Sequence, residues 1–112
     1  MLKGGELDGV RLLGQKTVAL MTMNHLSPLE LSAFASRPWF ASRWVDPYYS
    51  KAYGYGLGVR TLLSPAENEI VGSVGSYGWP GLHNTYFWVD PQEELFGFIW
   101  GQYSPIFFYP ID

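Results

Sequence analysis

Cysteine is absent from the 112 residues. That excludes a disulfide framework, a thiolate metal site and a cysteine nucleophile together, while leaving the compartment open, since exported bacterial proteins also lack cysteine. Charge is scarce as well. Only 15% of residues are charged, against roughly 25% in ordinary soluble domains. Seven Lys and Arg stand against ten Asp and Glu, for a net charge of −3, and no basic block occurs, which argues against nucleic-acid binding. No apolar run approaches the roughly 18 residues of a membrane span, and no charged segment followed by an apolar core opens the chain as a signal peptide would. Histidine occurs twice, at His25 and His83. Aromatics, by contrast, are abundant: 5 Trp, 8 Tyr and 7 Phe make up 18% of the chain. A disordered chain does not carry that load. The length allows one domain.

Four stretches differ in pattern, and together they predict one partial domain over 1–112. Residues 1–26 read as turn and helix. Gly4-Gly5 is a helix-ending signal, Leu7-Asp8-Gly9-Val10 a tight turn, and Val18, Leu20 and Met21 lie at helical spacing from Gln15 onward. Arg11 is expected to pair its charge near the preceding turn. Residues 27–50 are rich in proline and aromatics, with a short helix over Leu29–Phe34 that Ser27 caps and Pro28 opens. Residues 51–102 read as antiparallel strands, three or four of them. In the first, Tyr53, Tyr55, Leu57 and Val59 alternate with Gly54, Gly56 and Gly58, which describes a strand with one face packed and the other closely approached. Further strands are expected at 69–77, 85–89 and 95–100, the last two joined as a hairpin through Asp90-Pro91. Residues 103–112 form a tail. The predicted class is α+β, an antiparallel sheet flanked by an N-terminal helix.

No self-contained catalytic set is present. Ser-x-x-Lys, Gly-x-Ser-x-Gly, His-Glu-x-x-His and the phosphate-binding Gly-x-x-x-x-Gly-Lys-Ser/Thr loop are all missing from the chain. His83 beside Asn84 reads as a loop histidine rather than a general base, and Asn84 as a residue suited to left-handed backbone. Nothing suggests a metal or a cofactor.

Four separated pieces nevertheless occur in a telling order: Gly4-Gly5-Glu6-Leu7-Asp8-Gly9-Val10-Arg11-Leu12-Leu13, Met23-Asn24-His25-Leu26, the glycine-alternating run Tyr53 to Val59, and Tyr77-Gly78-Trp79-Pro80-Gly81 with Thr85-Tyr86-Phe87-Trp88-Val89-Asp90-Pro91. In order and spacing they resemble the serine β-lactamase-like hydrolases, the group of class C β-lactamases, DD-peptidases and related esterases. The resemblance spans Met1 to about Gln102. It implies part of the α/β lobe of the β-lactamase/transpeptidase-like fold, and ester or amide cleavage through an acyl-serine intermediate in the complete protein.

The same resemblance assigns the site. Trp79, Pro80 and Gly81 stand where the family carries its third motif, Lys-Thr-Gly or Trp-Gly-Gly, on an edge strand beside the substrate. Leu82 would follow it with a backbone N–H for the developing oxyanion. Tyr-x-Asn and Ser-x-Asn are missing along with Ser-x-x-Lys. No catalytic residue is therefore expected in this chain, which is read as a C-terminal portion, inactive alone, of an esterase-like member. Its expected partners are the missing N-terminal portion, or a second copy, and a small ester or amide substrate. The alternative is a non-enzymatic binding module with an aromatic contact surface, to which Phe107, Phe108 and Tyr109 would belong.

Overall fold

The computed structural model describes residues 2–35, 52–67, 71–81 and 83–102. Chain reversal begins at once. Strands β1 (Glu6–Leu7) and β2 (Val10–Arg11) form a small hairpin, turned by Asp8 at φ 50° and Gly9 at φ 80°. Two left-handed residues in succession are what a two-residue hairpin turn of matching twist requires. Arg11 pairs with Glu6 across the hairpin and also donates to the Leu13 carbonyl at 3.3 Å, so its role is structural, as the sequence predicts.

Helix α1 (Gln15–Thr22) buries Val18. Helix α2 (Pro28–Ala35) starts at the predicted proline and carries a reciprocal cap. The Glu30 carboxylate accepts from the Ser27 N–H at 2.8 Å and from the Ser27 hydroxyl at 2.6 Å. The Glu30 N–H donates back to that hydroxyl at 3.3 Å. These bonds from Ser27 hold the Glu30 carboxyl below its ordinary range.

Among the described residues the main sheet has five antiparallel strands in sequential order: β3 (Tyr53–Tyr55), β4 (Arg60–Leu62), β5 (Tyr77–Pro80), β6 (Tyr86–Asp90) and β7 (Leu95–Ile99). Three expectations are corrected. The run Tyr53 to Val59 is not one strand. It turns back on itself where Gly56 N–H bonds to the Val59 carbonyl at 2.7 Å and Gly58 takes φ 93°, so a hairpin replaces it and the strand count rises to five. No strand occupies 71–76, where Gly75 is left-handed at φ 89°; pairing starts at Tyr77 and continues to Pro80. And β5 is interior rather than at an edge, lying between β4 and β6.

The other strand expectations hold closely. The Asp90-Pro91 turn joins β6 to β7 in a hairpin whose register runs from Tyr86↔Ile99 to Asp90↔Leu95. Asp90 is buried at 5% exposure, and it ties two loops together. Its carboxylate accepts from Ser73 N–H at 3.0 Å, Gln92 N–H at 3.0 Å and Glu93 N–H at 3.2 Å. Burial pushes its pKa up, but these bonds, with another from the Ser73 side chain, outweigh that and hold it below the usual value.

The core sits at the β3–β4 end, where Ala52, Tyr53 and Leu62 cluster. Leu62, at 1% exposure, contributes roughly 2–3 kcal/mol by burial. The chain leaving α1 packs over this end. The Asn24 side chain accepts from Leu26 N–H at 3.0 Å and Tyr55 N–H at 3.1 Å, and donates to the Leu26 carbonyl at 2.9 Å. It lies against Gly54, and the Met21 carbonyl lies against Gly56, where any side chain would collide. The close approach that the alternating glycines predict is therefore made by this segment. Phe107, Phe108 and Tyr109 lie outside the described residues.

Candidate functional site

The residues assigned by resemblance lie at one end of β5. β4 pairs with Tyr77 and Gly78 only. Past that point Trp79 pairs with Phe87 and Pro80 with Tyr86, both on β6. Among the described strands, Trp79 and Pro80 therefore have a partner on one side alone, although their strand is interior. A proline suits such a place, because its missing N–H withdraws nothing from a ladder that has already ended. The Trp79 ring meets Tyr55 edge to face, centroids 5.3 Å apart at 78°, and both residues are half-buried.

Beyond Pro80 the chain bends sharply. Gly81 N–H bonds to the Thr85 carbonyl at 2.7 Å, and Asn84 N–H returns to the Gly81 carbonyl at 3.1 Å. Asn84 takes φ 61°, the left-handed backbone expected of it. A side chain at Gly81 would strike the Thr85 hydroxyl, so the group closing on this glycine is Thr85 of the same bend. Leu82 lies outside the described residues.

Behind β5 stands a feature that sequence reasoning missed. Arg60 is buried at 3% exposure, and its register partner on β5 is Gly78. From β4 the arginine reaches across to β6. Its Nη2 donates to the Tyr86 hydroxyl at 2.7 Å, and its guanidinium carbon lies 4.2 Å from the Tyr53 ring centre and 5.2 Å from that of Tyr86. Tyr86 in turn stacks on Trp88 at 5.9 Å. Cation–π contact and a charge-assisted hydrogen bond favour arginine over lysine here. Because Tyr86 is the partner of Pro80, the arginine braces the strand bearing Trp79. The signal was present in the sequence as an arginine inside a run of strand formers.

The titratable groups near β5 are few. Tyr77 is 4% exposed, and its hydroxyl has no hydrogen-bond partner among the described residues; burial raises its pKa. His25 Nε2 lies 2.7 Å from the Leu20 carbonyl. A carbonyl only accepts, so this nitrogen carries the proton and is not placed as a base. His83 is exposed at the bend. No three His, Asp or Glu side chains among the described residues group as a metal site. Among the described residues the arrangement supplies an aromatic contact and a braced strand end.

No family model matches the chain. Two curated relatives, Uncharacterized protein MT1414 and Protein Rv1367c, both of Mycobacterium tuberculosis, are each 28% identical over 99 residues. The match covers 85% of this chain and 22% of theirs, so the chain spans about a fifth of the relatives' length. Among solved structures, the chain is similar to EstCE1, a hydrolase with promiscuous acyltransferase activity, with a TM-score of 0.65, 18% identity, and coverage of 91% of this chain and 22% of EstCE1. It is also similar to unliganded simvastatin synthase (LovD) from Aspergillus terreus, with a TM-score of 0.67, 24% identity, and coverage of 93% and 26%. At these identities the likeness shows a shared fold. This chain corresponds to about a quarter of each enzyme.

Proposed function

We propose that this chain is part of a β-lactamase-related serine hydrolase of the esterase-like branch, and that it contributes the sheet wall of the acyl pocket. The nucleophile and its base come from polypeptide outside these 112 residues, since Ser-x-x-Lys and Tyr-x-Asn do not occur within them. The observation that carries this reading is a coincidence of fold and motif. The chain shares its fold with a hydrolase of promiscuous acyltransferase activity and with a simvastatin synthase over about nine-tenths of its length, and Trp79-Pro80-Gly81 falls where β5 runs free of β4.

In this reading the reaction is acyl transfer in two steps. A serine oxygen bonds to the substrate carbonyl carbon, its proton passes to the base, and the alcohol or amine leaves with a proton. Water then releases the acid and restores the serine. Trp79, held edge-on by Tyr55, bounds the acyl group. Pro80 and Gly81 keep the strand end narrow, and Leu82 offers one N–H to the oxyanion. Arg60 is a positioning residue that acts through Tyr86.

The test is acyl selectivity. The chain is co-expressed with a polypeptide carrying Ser-x-x-Lys and Tyr-x-Asn, encoded upstream in the same frame, and assayed on p-nitrophenyl esters of increasing chain length. Trp79→Ala is expected to lower kcat/KM for the preferred ester by roughly 10- to 100-fold, the scale of 1–3 kcal/mol of pocket contact, and to move the optimum to longer acyl groups. An unchanged chain-length profile would remove Trp79 from the pocket.

A further inference from the structure

We infer that Asn24 is a positioning residue that sets acyl selectivity from the exit of α1, acting through Tyr55 and so through the Trp79 ring. The inference rests on the pocket-wall reading of Trp79 above. The Trp79 ring meets Tyr55 edge to face at 5.3 Å and 78°, so the place at which Tyr55 is held bounds the indole on that side. Both backbone polar groups of Tyr55 are taken by the segment that follows α1. Its N–H donates to the Asn24 Oδ1 at 3.1 Å, and its carbonyl accepts from the His25 N–H at 2.9 Å.

The Asn24 side chain that makes this bond has its own direction fixed. Its oxygen also accepts from the Leu26 N–H at 3.0 Å, and its Nδ2 donates to the Leu26 carbonyl at 2.9 Å. Bonding to both backbone groups of Leu26 fixes which end of the amide is oxygen and aims that oxygen at Tyr55. Gly54 gives it room, since any side chain there would collide with the Asn24 amide. Beyond Tyr55, the Met21 carbonyl accepts from the Leu57 N–H at 2.8 Å and lies against Gly56. The chain on both sides of Tyr55 is therefore pinned to one stretch, 21–25.

These contacts put control of the ring pair outside the strands that carry it. Tyr55 registers with Arg60, and Arg60 with Gly78, the chain neighbour of Trp79. A shift of the Tyr55 backbone is thus a shift of its ring against the indole, and an edge-to-face pair holds only within a narrow range of separation and angle. Without the Asn24 oxygen, the Tyr55 N–H loses its acceptor and the segment keeps Tyr55 by the His25 bond alone. The ring then gives way behind Trp79, and the wall yields to longer acyl groups. The effect reaches the substrate only through the two rings.

The chain co-expressed with the upstream polypeptide tests this by a ratio: kcat/KM on the preferred p-nitrophenyl ester over that on the ester two carbons longer. Both values come from one sample, so the ratio is independent of how much of a variant folds. Asn24→Ala and Tyr55→Leu should each lower it about 2- to 10-fold, the worth of an edge-to-face ring pair. Asn24→Asp keeps the accepting oxygen and should stay within about twofold of the native ratio. Asp90→Asn, which loosens β6 at the end away from Tyr86 and Pro80, should also leave the ratio in place. In a Trp79→Ala background, Asn24→Ala should change the ratio no further. Native ratios for Asn24→Ala and Tyr55→Leu, beside a shifted Trp79→Ala, would overturn this inference and leave the pocket wall standing. So would equal shifts with and without Trp79, or a shift in Asn24→Asp or Asp90→Asn that matches Asn24→Ala. A silent Trp79→Ala would instead remove the wall itself, and this inference with it.

Discussion

Replacing Asp90 by Asn removes one charge and almost no volume, so it isolates what the buried carboxylate does. In the native chain the two oxygens accept from Ser73, Gln92 and Glu93 N–H groups at 3.0, 3.0 and 3.2 Å. Hydrogen bonds to a charged acceptor contribute about 1.5–3 kcal/mol each. The amide keeps one acceptor oxygen and turns an NH2 toward donors that need an acceptor, so Asp90→Asn should cost about 2–3 kcal/mol at neutral pH. For a domain of this size the loss lowers Tm by roughly 8–15 °C.

The pH dependence fixes the mechanism. Hydrogen bonds hold the folded Asp90 below its ordinary range despite burial, whereas in the unfolded chain it titrates near ~3.9. Its stabilisation is therefore complete above that unfolded value and disappears as pH falls through the folded one. Thermal unfolding followed by circular dichroism at a series of pH values should show the gap between native chain and variant closing below about pH 4. A gap of the same size at neutral pH and in strong acid would refute the reasoning, as would no gap at neutral pH.

Other expectations follow from single contacts. Tyr77→Phe should leave stability unchanged or raise it by up to about 1 kcal/mol in urea unfolding, because the buried hydroxyl has no partner among the described residues; since burial raises this pKa, the native chain should also lose stability above roughly pH 10 where the variant does not. Asn24→Ala should destabilise by about 2–4 kcal/mol, since it strips two N–H groups and one carbonyl of their partner. Arg60→Lys should cost about 1–3 kcal/mol in the same assay, through loss of the bond to Tyr86 and of contact with two tyrosine rings.

How much of this was legible depended on whether the signal was local. The β6–β7 hairpin was, because period-2 aromatics on both sides of an Asp-Pro turn allow one pairing. The Ser27-Pro28 start of α2 was legible for the same reason, every cap contact lying within one turn. The Tyr53–Leu62 hairpin was not. Glycine at every second position keeps the alternation of a single strand even where Gly58 turns the chain. The resemblance placed β5 at an edge, which its pairing with β4 at Tyr77 and Gly78 overturns. Asn24 and Arg60 act through partners 31 and 26 residues away, and no periodicity reports contacts at that distance. Trp79, Pro80 and Gly81 were singled out by the resemblance of four spaced pieces, not by local chemistry, which alone reads Trp79 as packing.

The central claim is that this chain builds pocket wall and strand end while the attacking serine belongs to polypeptide outside it. Fluorophosphonate labelling followed by peptide mapping tests this directly, on the 112-residue chain alone and co-expressed with the polypeptide encoded upstream. The account predicts no adduct on the chain alone and a single labelled serine, within Ser-x-x-Lys, on the upstream polypeptide. Stoichiometric labelling of any serine within these 112 residues, with saturable ester hydrolysis, would contradict it.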